Sequence, residues 1–381
     1  MKPETRLTRI GRPHGGTGLV NPAVERGSTV LADTAHELYN APPGKTHYGR
    51  MGLSAQSALR DALCEISGAD WCALTPSGLS AMTLPLLAVV SNGGRVLAAD
   101  CVYGPTRKFL TEVLPRYGVE IEFFPPRLGS GIASLMDERV QAVFLESPGS
   151  LTFELQDIPA VSAEARKVGA VVITDDTYSA GWLMKPLDLG ADIAAQALTK
   201  YVGGHSDILL GAALARGNAA ERLKDYERTF GCHVSPDDAW MALRGLRTLA
   251  VRMTRSAESA LKIADWLSKR PEVTSVIHPA RTDHPDHAIF QRDFSGASGL
   301  FAVTLRDFNR QRTEAFLDAL QIFGLGFSWG GYESLAIHCG PQLRRDHGAP
   351  DDGALVRFGI GLEDPDDLIA DLEKGFAAIA V

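Results

Sequence analysis

Short runs of apolar residues recur along the chain from about residue 54, and longer amphipathic stretches separate most of them. The stretch after Ser54 has apolar residues at helical spacing and stops at Gly68, which predicts a helix. The short runs are apolar throughout, as strands buried on both faces are. Strands that alternate with helices predict an α/β fold with a mostly parallel sheet. The runs assigned to strands are Arg95–Ala99, Ile121–Phe124, Ala142–Leu145, Ala170–Ile173, Ala194–Leu198 and Leu209–Ala215.

The pattern differs at the two ends of the chain. Residues 1–50 show no sustained period and are rich in Gly, Pro, Thr and Arg, which predicts an extended N-terminal arm. Residues 237–269 predict one long helix bent near Gly245, followed by the short strands and helices of an α+β fold. We therefore expect an arm at 1–50, a larger domain at 51–246 and a smaller C-terminal α+β domain at 247–381.

Composition narrows the class of protein. The 381 residues are 45% apolar and 22% charged, an ordinary globular balance. The net charge of −8 disfavours general binding to nucleic acid or anionic membranes, because both are negative. The five cysteines are scattered and never form a CxxC pair, as is typical of reduced cytoplasmic thiols. No apolar run approaches the ~18 residues of a membrane helix, so we expect a cytoplasmic protein with no membrane partner.

The segment Thr75–Ser80 is the first candidate for chemistry. Small residues at a helix start leave free N–H groups at the positive end of the helix dipole, which is a favourable seat for phosphate. A simple capped helix start explains the same residues, so both interpretations stay open. Pro85 lies inside the helix that should follow, and it predicts a kink or a restart there.

Two charged residues follow apolar runs. Asp175 follows one such run by two residues, at a strand end where a carboxylate is desolvated unless it meets a cation such as a pyridinium nitrogen. Lys200 follows another run and precedes Gly203 and Gly204. A desolvated lysine near a second cation has a lowered pKa and becomes a nucleophilic amine. The alternatives are an Asp that caps the next turn and a lysine that is solvated at the surface.

Arginines form a further candidate set. Arg50 follows Tyr48 and Gly49 in the arm, and Arg357 lies in the C-terminal domain. A guanidinium suits a two-point grip on phosphate or carboxylate. Either residue, taken alone, is equally consistent with a surface arginine.

Two other kinds of site fit the sequence poorly. No GxGxxG motif follows the first strand and no GxxxxGK[ST] motif occurs, which argues against a nucleotide-binding protein. Residues 278–287 concentrate His278, Asp283, His284, Asp286 and His287, but prolines and turn formers dominate the segment. We therefore expect no metal site.

The combination of these features resembles the fold-type I pyridoxal 5'-phosphate enzymes, whose glycine-rich helix start, Asp and Lys follow in this order. The segment TKYVGGHSD around Lys200 is similar to the signature of their Cys/Met-metabolism group of transsulfuration enzymes. The resemblance spans roughly residues 20–380. It is carried also by YGRMG, FLESPGS, DDTYSAGWLMKPLDLGADI, RGLRTL, RDFSGASGLF, SWGGYESL and RFGIGLEDPDDLIADL.

The resemblance implies a role for each candidate residue. Lys200 would carry the cofactor covalently, Asp175 would pair with its pyridine nitrogen, and Tyr103 would stack on its ring. Arg357 would grip the substrate α-carboxylate, in a site lined by Ser328 and Trp329. The phosphate would be held by Ser77, Gly78, Leu79 and Thr199, together with Tyr48 and Arg50 of a neighbouring subunit, and Tyr48 would also reach the substrate and take part in catalysis.

The implied activity is that of a carbon–sulfur lyase in methionine biosynthesis. It would convert L-cystathionine by α,β-elimination to homocysteine, pyruvate and ammonia. The implied assembly is a homotetramer, a dimer of dimers whose active sites are shared between two subunits. The alternatives are a cystine or cysteine C–S lyase, a cystathionine γ-lyase or γ-synthase, and a non-catalytic regulatory protein that binds pyridoxal phosphate.

Three residues depart from the family pattern. Ala197 stands where many members have a serine, so one hydroxyl for the phosphate is missing. Pro105 stands where the methionine γ-lyases have a cysteine, which weakens that assignment. Trp240 replaces a tyrosine of the most similar β-eliminating enzymes, which bears on fine substrate preference.

Overall fold

Two β-sheets organise the computed structural model, which describes residues 1–13, 18–40, 42, 44–348 and 354–379. The seven strands of the larger sheet are β1 (Trp71–Thr75), β2 (Arg95–Ala99), β3 (Glu120–Phe124), β4 (Val140–Glu146), β5 (Val171–Asp175), β6 (Ile193–Ala197) and β7 (Gly211–Ala215). The five strands of the smaller sheet are β8 (Val273–Ile277), β9 (Leu300–Leu305), β10 (Gly324–Leu325), β11 (Leu335–His338) and β12 (Ala354–Gly359).

Helices pack against both sheets, and every residue of β7 is buried, as a strand covered on both faces must be. The helices before residue 200 are α1 (Pro3–Arg9), α2 (Ala35–Tyr39), α3 (Ser54–Ser67), α4 (Gly78–Val89), α5 (Gly104–Glu112) and α6 (Ile158–Val168). Those after it are α7 (Gly217–Phe230), α8 (Pro236–Leu246), α9 (Leu249–Leu267), α10 (His287–Asp293), α11 (Arg310–Asp318) and α12 (Pro365–Ala378).

The larger sheet has the strand order β1-β7-β6-β5-β4-β2-β3. The strands from β3 to β6 are parallel, which confirms the predicted α/β class, whereas β7 is antiparallel to both of its neighbours. Residues 198–210 contain no helix that could carry the chain back to the starting edge, so β7 returns antiparallel. The carboxyl ends of β4 and β5 meet at one edge, where Glu146 pairs in register with Asp175.

Two predicted helices differ in the structure. The single helix expected over residues 237–269 is two helices, α8 and α9, because the backbone at Thr248 leaves the helical region. Gly245 packs so closely on the preceding segment that a Cβ there would lie 2.2 Å from the carbonyl oxygen of Val202. The other difference is at Pro85, where α4 continues as one helix, so the predicted restart does not occur, whereas the alternative, a kink, stays a prediction.

The N-terminal arm is not extended throughout. Helix α1 contacts α9, and both Leu7 and Ile10 are buried there. Beyond it, the arm exposes large apolar side chains, including Leu31 and Tyr39, each 83% accessible. Leu7 and Ile10 are therefore part of the chain's own core, whereas described residues further along the arm offer apolar surface to the outside.

The described residues form two apolar clusters. One surrounds the larger sheet. The other lies between the smaller sheet and helices α9, α11 and α12, with Phe301, Phe316 and Phe358 fully buried in it. Among the helices of the described ranges, none is both long and apolar enough to span a membrane.

Candidate active site

A cavity of about 700 Å³ opens at the carboxyl ends of β4, β5 and β6. Ligands of open α/β sheets bind at this edge, because polar side chains that follow parallel strands converge there. Asp175 ends β5 and Lys200 follows β6 by three residues, so both line the cavity. Arg357 reaches it from β12 of the smaller sheet. Residues of both sheets thus form one site.

Lys200 carries a half-buried amine that is held by a hydrogen bond. Its Nζ donates a hydrogen bond to Ser328 Oγ at 2.9 Å and lies 5.6 Å from the ring centre of Trp329. Burial, together with the positive charge of Arg357, lowers the pKa of Lys200 to about 8, although Asp175 acts in the opposite direction. The side chain therefore has a large neutral fraction near pH 8, as a nucleophilic amine requires.

Asp175 presents one free oxygen to the cavity. Its Oδ1 accepts hydrogen bonds from the Thr177 backbone N–H at 2.9 Å and from Thr177 Oγ1 at 2.6 Å. No donor among the described residues reaches Oδ2. Burial raises the pKa of Asp175 to about 6, although Thr177 and Lys200 both act to lower it. A cation at Oδ2 would relieve that desolvation.

The start of α4 forms an anion seat. Ser77 is the N-cap, and its Oγ accepts a hydrogen bond from the Ser80 N–H at 3.2 Å. The amides of Gly78 and Leu79 find no acceptor within the described part of the chain, as expected at a helix N-terminus. A Cβ at residue 78 would lie 2.4 Å from the Ala197 Cβ, so only glycine allows this approach. A bound phosphate would satisfy both amides.

Thr199 also lines the cavity, but its hydroxyl is already engaged. Its Oγ1 donates to the Leu210 carbonyl oxygen at 3.2 Å and accepts from the Leu210 N–H at 3.0 Å. Because a hydroxyl has a single proton, Thr199 can donate to a phosphate only by releasing that carbonyl.

Arg357 is buried and only partly satisfied. Its Nη2 donates to the carbonyl oxygens of Phe327 and Ser328, both at 3.0 Å. Its Nε is buried and has no partner within the described ranges. Burial lowers the pKa of Arg357. A carboxylate in the cavity would supply the missing acceptor for this guanidinium.

Tyr103 stands at the N-cap of α5 and lines the cavity with 44% of its surface accessible. Its backbone N–H donates to Glu146 Oε2 at 2.6 Å. Glu146 was not among the predicted site residues, although it precedes the Ser-Pro-Gly segment and directly follows the predicted strand Ala142–Leu145. Burial and the charge of Asp175 raise the pKa of Glu146 well above its ordinary value. Glu146 therefore fixes the backbone that carries Tyr103.

Three other candidates lie outside the cavity of their own chain. Tyr48 is 48% accessible, and Arg50 donates from Nη1 to the Arg228 carbonyl oxygen at 3.0 Å. Trp240 donates from Nε1 to the Pro22 carbonyl oxygen at 3.1 Å, which ties α8 to the arm. The departure at Trp240 therefore concerns the arm and not the lining of this cavity.

The histidine-rich segment 278–287 also lies away from the cavity. His278 and His284 are buried, and their Nδ1 atoms accept backbone N–H groups of Ala280 and Asp286 at 3.1 Å each. Asp286 accepts from Arg127 Nε at 2.7 Å. These contacts stabilise a loop.

The residues of the cavity fit pyridoxal phosphate. An amine with a lowered pKa, a carboxylate oxygen without a donor, an anion seat and an unsatisfied arginine all face one space. The amine matches the aldehyde of the cofactor, the carboxylate oxygen matches its protonated ring nitrogen, and the anion seat matches its phosphate. The arginine matches the carboxylate of an amino acid. Fold and site together define a pyridoxal-phosphate-dependent enzyme that acts on amino acids.

Comparison with known proteins identifies the family to which the chain belongs. The model of the family described as "Cys/Met metabolism PLP-dependent enzyme" matches residues 4–377. A relative from Rhizobium johnstonii is 47% identical over 379 residues, covering 98% of this chain and 96% of its own. The cystathionine beta-lyase of Escherichia coli is 40% identical over 390 residues, covering 99% of both chains.

A solved structure shows the same fold. The cystathionine gamma-lyase of Lactobacillus plantarum, complexed with L-serine, superposes with a TM-score of 0.91 at 28% identity, covering 100% of this chain and 99% of its own. The chain belongs to the Cys/Met metabolism family of pyridoxal-phosphate-dependent enzymes, and pyridoxal 5'-phosphate is its cofactor. The predicted family, cofactor and fold class are confirmed.

Proposed function

We propose that this enzyme is a carbon–sulfur lyase that cleaves L-cystathionine by α,β-elimination to homocysteine, pyruvate and ammonia. The observation that carries the proposal is the meeting of Lys200, Asp175 and Arg357 in one cavity. Together they supply a movable proton, a counter-charge for an electron-withdrawing ring and a grip on an amino-acid carboxylate. The name of the Escherichia coli relative, with its full-length match, supports the choice of cystathionine and of β-elimination.

Substrate orientation begins at Arg357. The carbonyl oxygens of Phe327 and Ser328 hold its Nη2, which fixes the guanidinium plane before any substrate enters. The α-carboxylate binds to the remaining N–H groups, including the unpartnered Nε. A fixed guanidinium loses little entropy on binding, so it orients the substrate effectively.

The cofactor, when bound, supplies an electron-withdrawing ring that stabilises negative charge on the substrate Cα. Gly78 and Leu79 would hold its phosphate through their backbone N–H groups. Asp175 would hold the proton on the ring nitrogen, and in the low dielectric of the buried site such an ion pair would be stronger than in water.

Lys200 moves the protons. Its neutral amine takes the proton from Cα, and Ser328 Oγ holds Nζ in place for that step. The Cβ–S bond then breaks, its electron pair leaves with sulfur, and Lys200 returns a proton to the sulfur of homocysteine. The three-carbon fragment takes up water and releases ammonia to give pyruvate, which balances the atoms.

The test is the identity of the products from purified holoenzyme and L-cystathionine. We expect pyruvate and homocysteine in equal amounts. The release of 2-oxobutanoate and cysteine would show γ-elimination instead. Failure to turn over cystathionine, with cystine cleaved, would identify a cystine lyase, and no turnover of either would indicate a non-catalytic protein.

We further propose that the enzyme is a dimer of dimers in which Tyr48 and Arg50 complete the neighbour's active site. Their position outside their own cavity and the apolar residues exposed on the arm support this. The test is to mix R50A and K200A subunits, each inactive alone. A shared site predicts recovered activity, because one site in each mixed dimer has both residues intact.

We also propose the division into residues 1–50, 51–246 and 247–381. The second apolar cluster, which packs the smaller sheet against α9, α11 and α12, supports the second boundary. Because α9 lies against strands of the smaller sheet, the connection at residues 247–248 is the natural junction. Limited proteolysis that cuts first elsewhere would argue against this boundary.

A further inference from the structure

The cavity extends well beyond the residues that hold the cofactor. Asp175 and Arg357, which are buried, and Lys200, which is half-buried, belong to what we call its inner wall. We call residues 340–348 the strap. The outer wall of the cavity consists of the start of α5, up to Lys108, and of those strap residues that line the cavity. The strap contributes Pro341, Gln342 and Arg344 to the lining.

Asp100 attaches the strap to the end of β2. This residue is fully buried, and its Oδ2 accepts the backbone N–H groups of Asp346 at 2.8 Å and His347 at 2.7 Å. Its Oδ1 accepts from Arg107 Nη1 at 2.6 Å, and Arg107 Nη2 pairs in turn with Asp346 at 2.8 Å. Because Arg107 lies on α5, one network holds α5 and the strap together.

A second attachment lies on the other side of the strap. Arg345 Nη2 donates to the Ser150 carbonyl oxygen at 2.9 Å and to Thr152 Oγ1 at 2.6 Å. Ser150 itself lines the cavity. The three residues that follow Arg344 are thus bonded to the segments that follow β2 and β4, so this part of the outer wall is held in place beside the cavity.

The two walls differ in charge. The inner wall carries both signs, whereas the charged residues in the outer lining of the described chain are Lys108 and Arg344, both positive. Lys108 has 71% of its side chain accessible, with Glu112 3.9 Å away on the same helix. Arg344 is exposed as well. Two cations at the open end of a cavity favour an anionic group at the far end of the ligand.

We infer that Lys108 and Arg344 bind the distal carboxylate of the substrate, the one on the half that leaves with sulfur. This inference rests on the proposed function, since cystathionine carries one carboxylate at each end. Arg357 on the inner wall binds the carboxylate next to the reacting carbons, and the outer wall binds the other. The outer wall therefore selects sulfur amino acids with a carboxylate on the leaving half over simple S-alkyl cysteines.

The test compares two substrates of the holoenzyme. L-Cystathionine and S-(3-aminopropyl)-L-cysteine share the scissile Cβ–S bond and differ only in the distal carboxylate. For the wild type we expect kcat/KM to favour cystathionine by about tenfold, in line with two exposed charge pairs. The K108A/R344A variant should lose this preference through a higher KM for cystathionine, while kcat/KM for the aminopropyl substrate stays the same. Added salt should reduce the wild-type preference.

Two control variants separate the effect of losing the two positive charges from the effect of a side-chain replacement as such. K108R/R344K keeps both cations and should keep most of the preference. K269A removes a lysine that is also 71% accessible and also paired at i,i+4, but that lies just after α9, and it should change nothing. An equal loss for both substrates, or no loss for cystathionine, in K108A/R344A would overturn the inference alone. A wild type that releases pyruvate from neither substrate would refute the proposed function, and the outer subsite with it.

Discussion

The inner and outer walls of the cavity use charge in different ways. On the inner wall, burial shifts the pKa of Lys200 down to about 8 and that of Asp175 up to about 6. On the outer wall, Lys108 and Arg344 are exposed to solvent. Buried charges are costly and act strongly on reacting atoms, whereas exposed charges are weak and screened. Chemistry therefore depends on the inner wall, and selection between substrates depends on the outer wall.

Replacing Lys200 should have the largest effect. K200A removes the amine that moves both protons, and we expect kcat to fall by at least about a thousandfold. The melting temperature should change little, since one hydrogen bond to Ser328 is lost. K269A serves as the control for loss of a lysine. Steady-state pyruvate release measures the effect, and K200A activity above a few per cent would contradict the assigned role.

Replacing Asp175 should have the next largest effect. D175N removes the counter-charge for the ring nitrogen, a loss of about 2–3 kcal/mol, which corresponds to about a hundredfold in kcat. The neighbouring Asp176 provides a matched control. It is buried and accepts from Ser179 Oγ, from the Gly181 N–H and from Gln196 Nε2, the last two at 3.0 Å.

D176N should therefore affect stability and not catalysis. An asparagine offers one acceptor where the aspartate oxygens meet three donors, so we expect unfolding to become easier by about 1–3 kcal/mol. Its kcat should stay within about threefold of the wild type. Thermal melting and pyruvate assays of both variants separate the two effects. A similar loss of kcat in D175N and D176N would contradict the assignment of a catalytic role to Asp175 and a structural role to Asp176.

Loosening the strap should have a smaller effect, confined to the outer wall. R345A removes the hydrogen bonds to Ser150 and Thr152, each worth about 1 kcal/mol. We expect a several-fold rise in KM for cystathionine with little change in kcat, and faster hydrogen exchange across residues 340–348. Unchanged exchange in that segment would show that Arg345 does not hold it.

The smallest expected effect is a shift in pH dependence. Only the neutral Lys200 amine attacks an aldehyde, so capture of pyridoxal phosphate by the apoprotein should rise with pH around a midpoint near 8. Arg357 lowers the pKa of Lys200 and Asp175 raises it. R357Q should therefore move the midpoint to higher pH and D175N to lower pH, followed by absorbance. If both variants moved the pH midpoint in the same direction, the opposite effects of Arg357 and Asp175 on the pKa of Lys200 would be contradicted.

Sequence reasoning succeeded where local pattern and chemistry coincide. All six predicted strand runs of the larger sheet lie within two residues of observed strands at both ends, because buried strands are apolar throughout. Asp175 and Lys200 were identified because charge directly after such a run is unusual. The roles assigned to Tyr48 and Arg50 stay predictions, since they concern a second subunit.

Sequence reasoning failed where contacts are distant in the chain. Strand β1 was missed, and so was β12, which carries Arg357 into the cavity. Glu146 was missed because a polar residue at a strand end is common, and its meaning depends on Tyr103, 43 positions away. The division of the helix at residues 247–248 was missed because Gly245 meets Val202 only in the folded protein.

The sequence by itself determined the fold class, the family resemblance and the inner wall, because alternating apolar runs and short motifs are local properties of the chain. Only the tertiary structure decided which residues form the outer wall. Asp100 and the strap are about 240 positions apart, and no local pattern marks their hydrogen bonds. Catalytic residues at strand ends are placed by the sheet, whereas the substrate-selecting surface arises from packing between distant segments.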